Sequence, residues 1–278
     1  MKKIVVIIVT LGVLSPTSLL AQDEQHAPPS GDLISRPNTE EVISVGTQRT
    51  LLSKVLGEER TLLIRVPKNY KKGKKRYPVL YKLDGGKSVF LQTVGTVEYL
   101  YDWSLAPDHI VVGIKNTDRR RDMNLDQGAD QFIRFLAEEL VPFVEANYRT
   151  KESRTLSGQS ASSIFALYTS LRAPELFDGY VLGSFGLSEK RLRRFEKALA
   201  ERSKNPQRHH WVYVGNASKD SYDKDGSRTR RGLAFLDSLK KTEGSALDVK
   251  TRVFEDQGHV PFPTMHYALR WMTAAQAK

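Results

Sequence analysis

The sequence predicts an α/β fold: a mostly parallel central sheet with an antiparallel N-terminal hairpin and helices on both faces. Three observations carry this prediction. From about residue 77 onward, short apolar, β-branched runs alternate with stretches of helical periodicity. Before that point, two strand-like runs meet at a glycine. In mid-chain, RTLSGQSASSIFALY (154–168) takes an apolar run through Gly158, Gln159 and Ser160 directly into a helix-like segment.

Residues 1–21 have the form of a secretory signal. Lys2 and Lys3 are the positive start, Ile4 to Leu14 the apolar stretch, and Ala21 the residue before cleavage. The apolar stretch is short for a membrane span and ends near Pro16, so no stable membrane anchor is expected after its removal. A bacterial periplasmic or secreted location follows. Residues 22–42, polar and containing Pro28, Pro29 and Pro37, read as a flexible leader. Residues 43–278 read as one domain.

Within that domain, runs at about 50–56 and 60–66, joined by Gly57 and two glutamates, predict the hairpin. A charged loop leads to a buried strand, Val79–Leu83, followed by Asp84, Gly85 and Gly86. HIVVGIKN (109–116) is the next strand. ADQFIRFLAEELVPFVEANY then has Phe132, Ile133, Phe135, Leu136, Leu140, Val141 and Val144 at helical spacing. Four strand signals follow, RTLSGQS, YVLGSF, HHWVYVGN and DVKTRVFED, each succeeded by a helical stretch. Strands apolar along their whole length are buried on both faces, which is the mark of a parallel sheet between helices.

Composition excludes several chemistries. The chain has no cysteine, so disulfides, thiolate metal sites, a cysteine nucleophile and a lipoprotein anchor are out. The spacings of zinc hydrolases are missing, and no metal or cofactor is expected. The formal charge is +11, or +9 once Lys2 and Lys3 are removed, with clusters at 71–76, 118–122, 190–194 and 228–231. These read mainly as solvated loops and helix faces, with attraction of an anionic substrate as the functional alternative. Aromatic residues do not interleave with them, so no nucleic-acid partner is expected.

In a doubly wound sheet, ligands meet the residues just after the strands. Ser160 follows a central strand, and His259 alone among six histidines follows the last strand in a glycine-containing loop. A hydroxyl is a poor nucleophile until an imidazole takes its proton, so this pair has the residues that acyl transfer needs, in the chain order of α/β-hydrolases. Asp220, Asp223 and Asp225 are all candidates for the acid that orients the imidazole, and a dyad without an acid is the alternative. Asp220 is favoured as nearest the strand end. Gly158 fits a strained turn, and the helix after Ser160 offers amides to an oxyanion. Asn116, Arg119 and Arg120 lie at the same end of the sheet, where they can meet substrate.

YPVLYKLDGG, VGIKNTDRRRDM, FLAEELVPFVEANYRT, RTLSGQSASSIFALY and FEDQGHVPFPTMHYALRW resemble the esterase family that includes enterochelin (siderophore) esterases, S-formylglutathione hydrolase, feruloyl esterases and mycolyltransferases. The resemblance covers about residues 45–275 and is greatest to the enterochelin-esterase-like branch. It implies an α/β-hydrolase fold, acyl-ester substrates, no cofactor, Ser160 as nucleophile, and oxyanion donors at the amides of Ala161 and a residue near Gly85 and Gly86. Together with the signal-like residues 1–21, it points to an exported serine esterase acting on a small-molecule, sugar or lipid ester. An acyltransferase and an inactivated, purely binding hydrolase are the alternatives.

The chain departs from the family twice. The usual elbow resembles G-H-S-x-G-G, whereas this chain reads Gly158-Gln159-Ser160-Ala161-Ser162-Ser163. The related pattern D-H-G-S-V-P puts histidine where this chain has Gln257, with His259 two residues later, a displacement of about 6–7 Å in an extended loop.

Overall fold

A computed structural model describes residues 43–201, 208–241 and 246–277. The expected signal and leader, residues 1–42, lie outside the described residues. Ser44–Lys278 forms one compact unit.

The chain order is β1 (Thr47–Ser53), β2 (Glu58–Arg65), β3 (Tyr77–Lys82), α1 (Lys87–Asp102), β4 (Ile110–Ile114), α2 (Arg119–Asp122), α3 (Ala129–Phe135), a π-helical turn (Leu136–Leu140), α4 (Val141–Asn147), β5 (Thr150–Gln159) and α5 (Ala161–Arg172). Then come β6 (Gly179–Gly183), α6 (Glu189–Ala200), β7 (His210–Ala217), α7 (Ser227–Lys240), β8 (Leu247–Phe254) and α8 (Thr264–Gln276). The eight strands form one sheet in the order β1-β2-β4-β3-β5-β6-β7-β8. The β1–β2 and β2–β4 pairs are antiparallel, and every other pair is parallel. This is the predicted fold class.

Alternation along each strand divides the core between two faces. Val79, Tyr81, Val112 and Leu182 pack with Phe132, Phe165, Phe195 and Phe235 from α3, α5, α6 and α7. Leu80, Val111, Val181 and Tyr213 pack on the other face with Phe90 and Val94 of α1 and Met265 and Leu269 of α8. Each such side chain, buried from water, contributes about 1.5–3 kcal/mol. That double burial is why these strands read as unbroken apolar runs.

Three local features differ from the sequence expectation. The hairpin strands end and begin earlier than predicted, because Glu139 fixes the turn. Its carboxylate accepts from the Ser53 hydroxyl and from the amides of Lys54 and Val55, and Gly57 closes the turn at φ 69°. No element was assigned to 87–102, which is the long helix α1. The basic run at 118–122 is a short helix that exposes Arg119 and Arg120, as a solvated helix face would, but its acids are built into the fold. Asp118 caps α2 by accepting from Arg121 N, and Asp122 is buried. Arg60, completely buried, donates to Glu58 and Asp122 at 2.8 Å each, while Arg121 donates to the same two carboxylates. Hydrogen bonds from Arg121 outweigh partial burial and hold the Glu58 carboxyl down at about 2. This ion network fastens α2 to β2 beside the carboxyl end of the sheet.

Candidate active site

Backbone strain collects at one end of the molecule. Of six non-glycine residues with positive φ among the described residues, five follow strands of the sheet: Asp84, Ser160, Ser184, Asp256 and Val260. Such conformations cost on the order of 1–3 kcal/mol each and persist where surrounding bonds over-determine them.

Ser160 lies at the turn from β5 to α5 with φ 57° and ψ −121°. Its amide donates to Gly183 O at 2.8 Å, tying the turn to β6. Gly158 is required there, since a Cβ would lie 2.2 Å from Ser162 O. Ten successive residues of α5, Ser162 to Leu171, are buried, which explains the small and apolar SSIFALYTSL. The buried hydroxyls find partners on their own helix: Ser163 on Ser160 O, Thr169 on Phe165 O and Ser170 on Leu167 O.

Ser162, where the family pattern has glycine, is fully buried and bonded on two sides. Its Oγ accepts from Gln159 N at 2.7 Å and lies 2.7 Å from Asp84 Oδ2, to which it donates. Asp84 also receives Asn116 Nδ2 at 2.7 Å and both Nε and Nη2 of Arg119 at 2.6 and 3.0 Å. Burial raises the Asp84 pKa, but the bonds from Arg119, Asn116 and Ser162 outweigh it and leave the carboxyl below its ordinary range. Asn116 and Arg119, predicted to meet substrate, are thus bound to Asp84 and through it to the elbow.

Gly85 packs against β4, where a Cβ would lie 2.4 Å from Ile114 N, and its amide donates to Ile114 O. The Gly86 amide, an expected oxyanion donor, makes a tight 2.8 Å bond to Asp84 O. Ala161 opens α5 immediately after Ser160.

His259 follows β8. Its Nδ1 is 2.9 and 2.8 Å from the two carboxylate oxygens of Asp220, which itself accepts from Tyr222 N. The Tyr222 ring covers the imidazole at a centroid distance of 4.5 Å. Val260, a β-branched residue at φ 68°, is held by a 2.8 Å bond from its amide to Ser184 Oγ. The other two candidate acids serve α7. Asp223 accepts from the amides of Arg228 and Thr229, and Asp225 from that of Ser227. Partial burial raises the Asp223 carboxyl, but those bonds pull it below its ordinary value. Ser160, His259, Asp220 and Ser184 line one cavity of about 80 Å³. A second, of about 690 Å³, lies against Ala161 and is lined by Arg119, Arg120, Lys190, Arg191, Arg194 and Arg228 among others.

The family model described as "Putative esterase" matches residues 53–271. The chain belongs to this family. The esterase-family chain is 33% identical over 145 residues to the uncharacterized protein YjcH of Bacillus subtilis, covering 49% of this chain and 60% of that protein. It is 38% identical over 58 residues to the ferri-bacillibactin esterase BesA of the same organism, covering 20% of each. It therefore spans less than two thirds of the curated relatives it matches. Among solved structures, an IroE-like serine hydrolase from Shewanella oneidensis superposes with a TM-score of 0.71 at 24% identity, over 82% of this chain and 80% of that one. At that identity the likeness establishes the shared fold.

Four residues at the candidate site had no assigned role in the sequence expectation. Asp84 was noted only as part of a turn, yet it joins Asn116, Arg119 and Ser162. Ser184, equally placed after a strand, holds the His259 loop through Val260. Arg191 and Arg228 were seen only as members of charge clusters, yet both line the Ser160 cavity. The available signal for the first two was their position directly after β3 and β6.

Proposed function

We propose that this chain is an exported serine esterase that cleaves a small-molecule carboxylic ester through an acyl-enzyme. The observation that carries the reading is the His259–Asp220 pair facing the cavity of a strained Ser160. Asp220 accepts Nδ1–H and fixes the tautomer, which leaves Nε2 as the proton acceptor. Nε2 takes the Ser160 proton as Oγ attacks the ester carbonyl, then returns it to the leaving alcohol. Water, deprotonated by the same imidazole, releases the acid. The amide of Ala161 and that of Gly86, once it exchanges its bond to Asp84 O, hold the oxyanion. One relative is named a ferri-bacillibactin esterase, and the basic cavity beside Ala161 favours an anionic ester of comparable chemistry here. The expected signal at 1–21 supports export to the periplasm or medium.

Fluorophosphonate labelling and turnover of p-nitrophenyl butyrate test the reading. Wild type should label and turn over, and Ser160→Ala should do neither while melting near wild type. A wild type that fails to label while folded would make the chain a binding protein on a hydrolase scaffold. Product analysis with an added alcohol separates hydrolysis from acyl transfer.

A further inference from the structure

The cations around the larger cavity divide into two sets. Arg119 is paired with Asp84, and Lys190 and Arg194 with Asp126. Arg120, Arg191 and Arg228 have no carboxylate partner among the described residues. Arg120 lines only the outer cavity, whereas Arg191 and Arg228 also line the small one with Ser160 and His259.

The fold builds this pair rather than tolerating it. Gly186 lets α7 approach the loop after β6, since a Cβ there would lie 2.9 Å from the Arg228 carbonyl carbon. Leu187 N then donates to Arg228 O at 2.9 Å. Arg191 stands in the first turn of α6, capped by Ser188, at the helix end that repels a cation. Burial, and then the charge of Arg228, pull the Arg191 guanidinium below its ordinary value. The acids of the small cavity are otherwise engaged, Asp220 with His259 and Asp223 with the α7 amides. Two like charges are therefore held together, half-shielded from water, without a carboxylate partner among the described residues. A ligand oxyanion removes that penalty, and a guanidinium fork matches a carboxylate or phosphate in two parallel bonds.

We propose that Arg191 and Arg228 form an anion subsite that selects esters bearing a carboxylate or phosphate close to the scissile bond. The selectivity rests on the esterase reading above, while the binding of the anion does not.

Two measurements on wild type, Arg191→Gln, Arg228→Gln and the double variant test it. The first is the ratio of kcat/KM for the mono-p-nitrophenyl ester of adipic acid to that for p-nitrophenyl hexanoate. The second is calorimetric binding of adipate and of inorganic phosphate to the same proteins. The ratio should fall at least tenfold in each single variant, with partial recovery in Arg191→Lys and Arg228→Lys. Anion binding should be lost in the double variant, and whichever of adipate or phosphate binds more tightly names the class of group. An unchanged ratio in variants that turn over both esters overturns the subsite and leaves the esterase standing. If wild type cleaves neither ester, the esterase reading fails, and the binding arm alone decides the subsite. Undiminished anion binding by the folded double variant overturns it.

Discussion

Replacing Ser162 by alanine isolates what this chain has put in place of the usual glycine. The substitution removes one oxygen and leaves a side chain that fits the same space. Two bonds are lost: the Gln159 amide loses its acceptor and the Asp84 carboxylate loses a donor, each at 2.7 Å. An orphaned buried donor costs about 1–3 kcal/mol, and a bond to a charged group contributes about 1.5–3 kcal/mol. The two share one oxygen and do not simply add, so the expected loss is about 3 kcal/mol. At about 2–4 °C per kcal/mol for a domain of this size, Tm falls by roughly 6–12 °C. Gln159 directly precedes Ser160, so kcat for p-nitrophenyl butyrate should fall as well, and Ser162→Gly should restore neither property. Urea denaturation with an unchanged m-value, paired with steady-state kinetics, reads both effects. A Ser162→Ala variant within about 0.5 kcal/mol of wild type would refute the reasoning, because surface-like neutrality is incompatible with two buried bonds.

Other substitutions separate the remaining parts. Gly158→Ala should prevent a stable fold or move the elbow, since the added Cβ meets backbone at 2.2 Å; soluble, fully active protein would contradict this. Asp220→Asn should lower kcat while Tm stays near wild type, whereas Asp223→Ala should lower Tm through the uncapped α7 and affect kcat less. The opposite pattern would reverse the two roles. Lys82, fully buried with its ammonium on Ser157 Oγ, is pushed down to about 8 by burial, from 10.5. The unfolded chain therefore binds more protons than the folded one between pH 8 and 10.5, and stability due to this residue rises with pH in that window. The penalty of about 3 kcal/mol is complete below pH 8. Chemical denaturation at pH 7.5 and 10 should show the stability gap between Lys82→Met and wild type narrowing at the higher pH, and a constant gap would rule out a depressed ammonium.

The sequence made visible those parts of the fold whose burial is two-sided. β3, β4, β6 and β7 are apolar along their length because helices cover both faces, and that pattern survives without coordinates. The hairpin register was not visible, because Glu139, more than eighty residues away, sets where β1 ends. α1 was missed for a different reason. Val89, Thr93, Val94, Thr96 and Val97 and the interrupting Gly95 weaken its local preference, and burial of Phe90, Val94 and Val97 overrides it. α2 read as a solvated charge run because its partners, Glu58 and Arg60, lie about sixty residues upstream. In the proposed site, the shared place of Ser160 and His259 after strands was legible, and Asp220 only as one of three candidate acids. The path that turns the His259 loop back depends on positive φ at Asp256 and Val260, which residue spacing does not report.

The sheet order also divides the proposed machinery between a centre and a margin. Ser160 follows β5, which has neighbours on both sides, whereas His259 follows β8, an edge strand exposed over much of its length. Opening of an edge costs less free energy than opening of a centre. On the proposed mechanism, the general base therefore belongs to a less protected cooperative unit than the nucleophile. Mild urea should silence turnover reversibly while the β5–α5 elbow keeps its amide protons, so that activity reports on the integrity of one margin of the sheet rather than on the folded state as a whole.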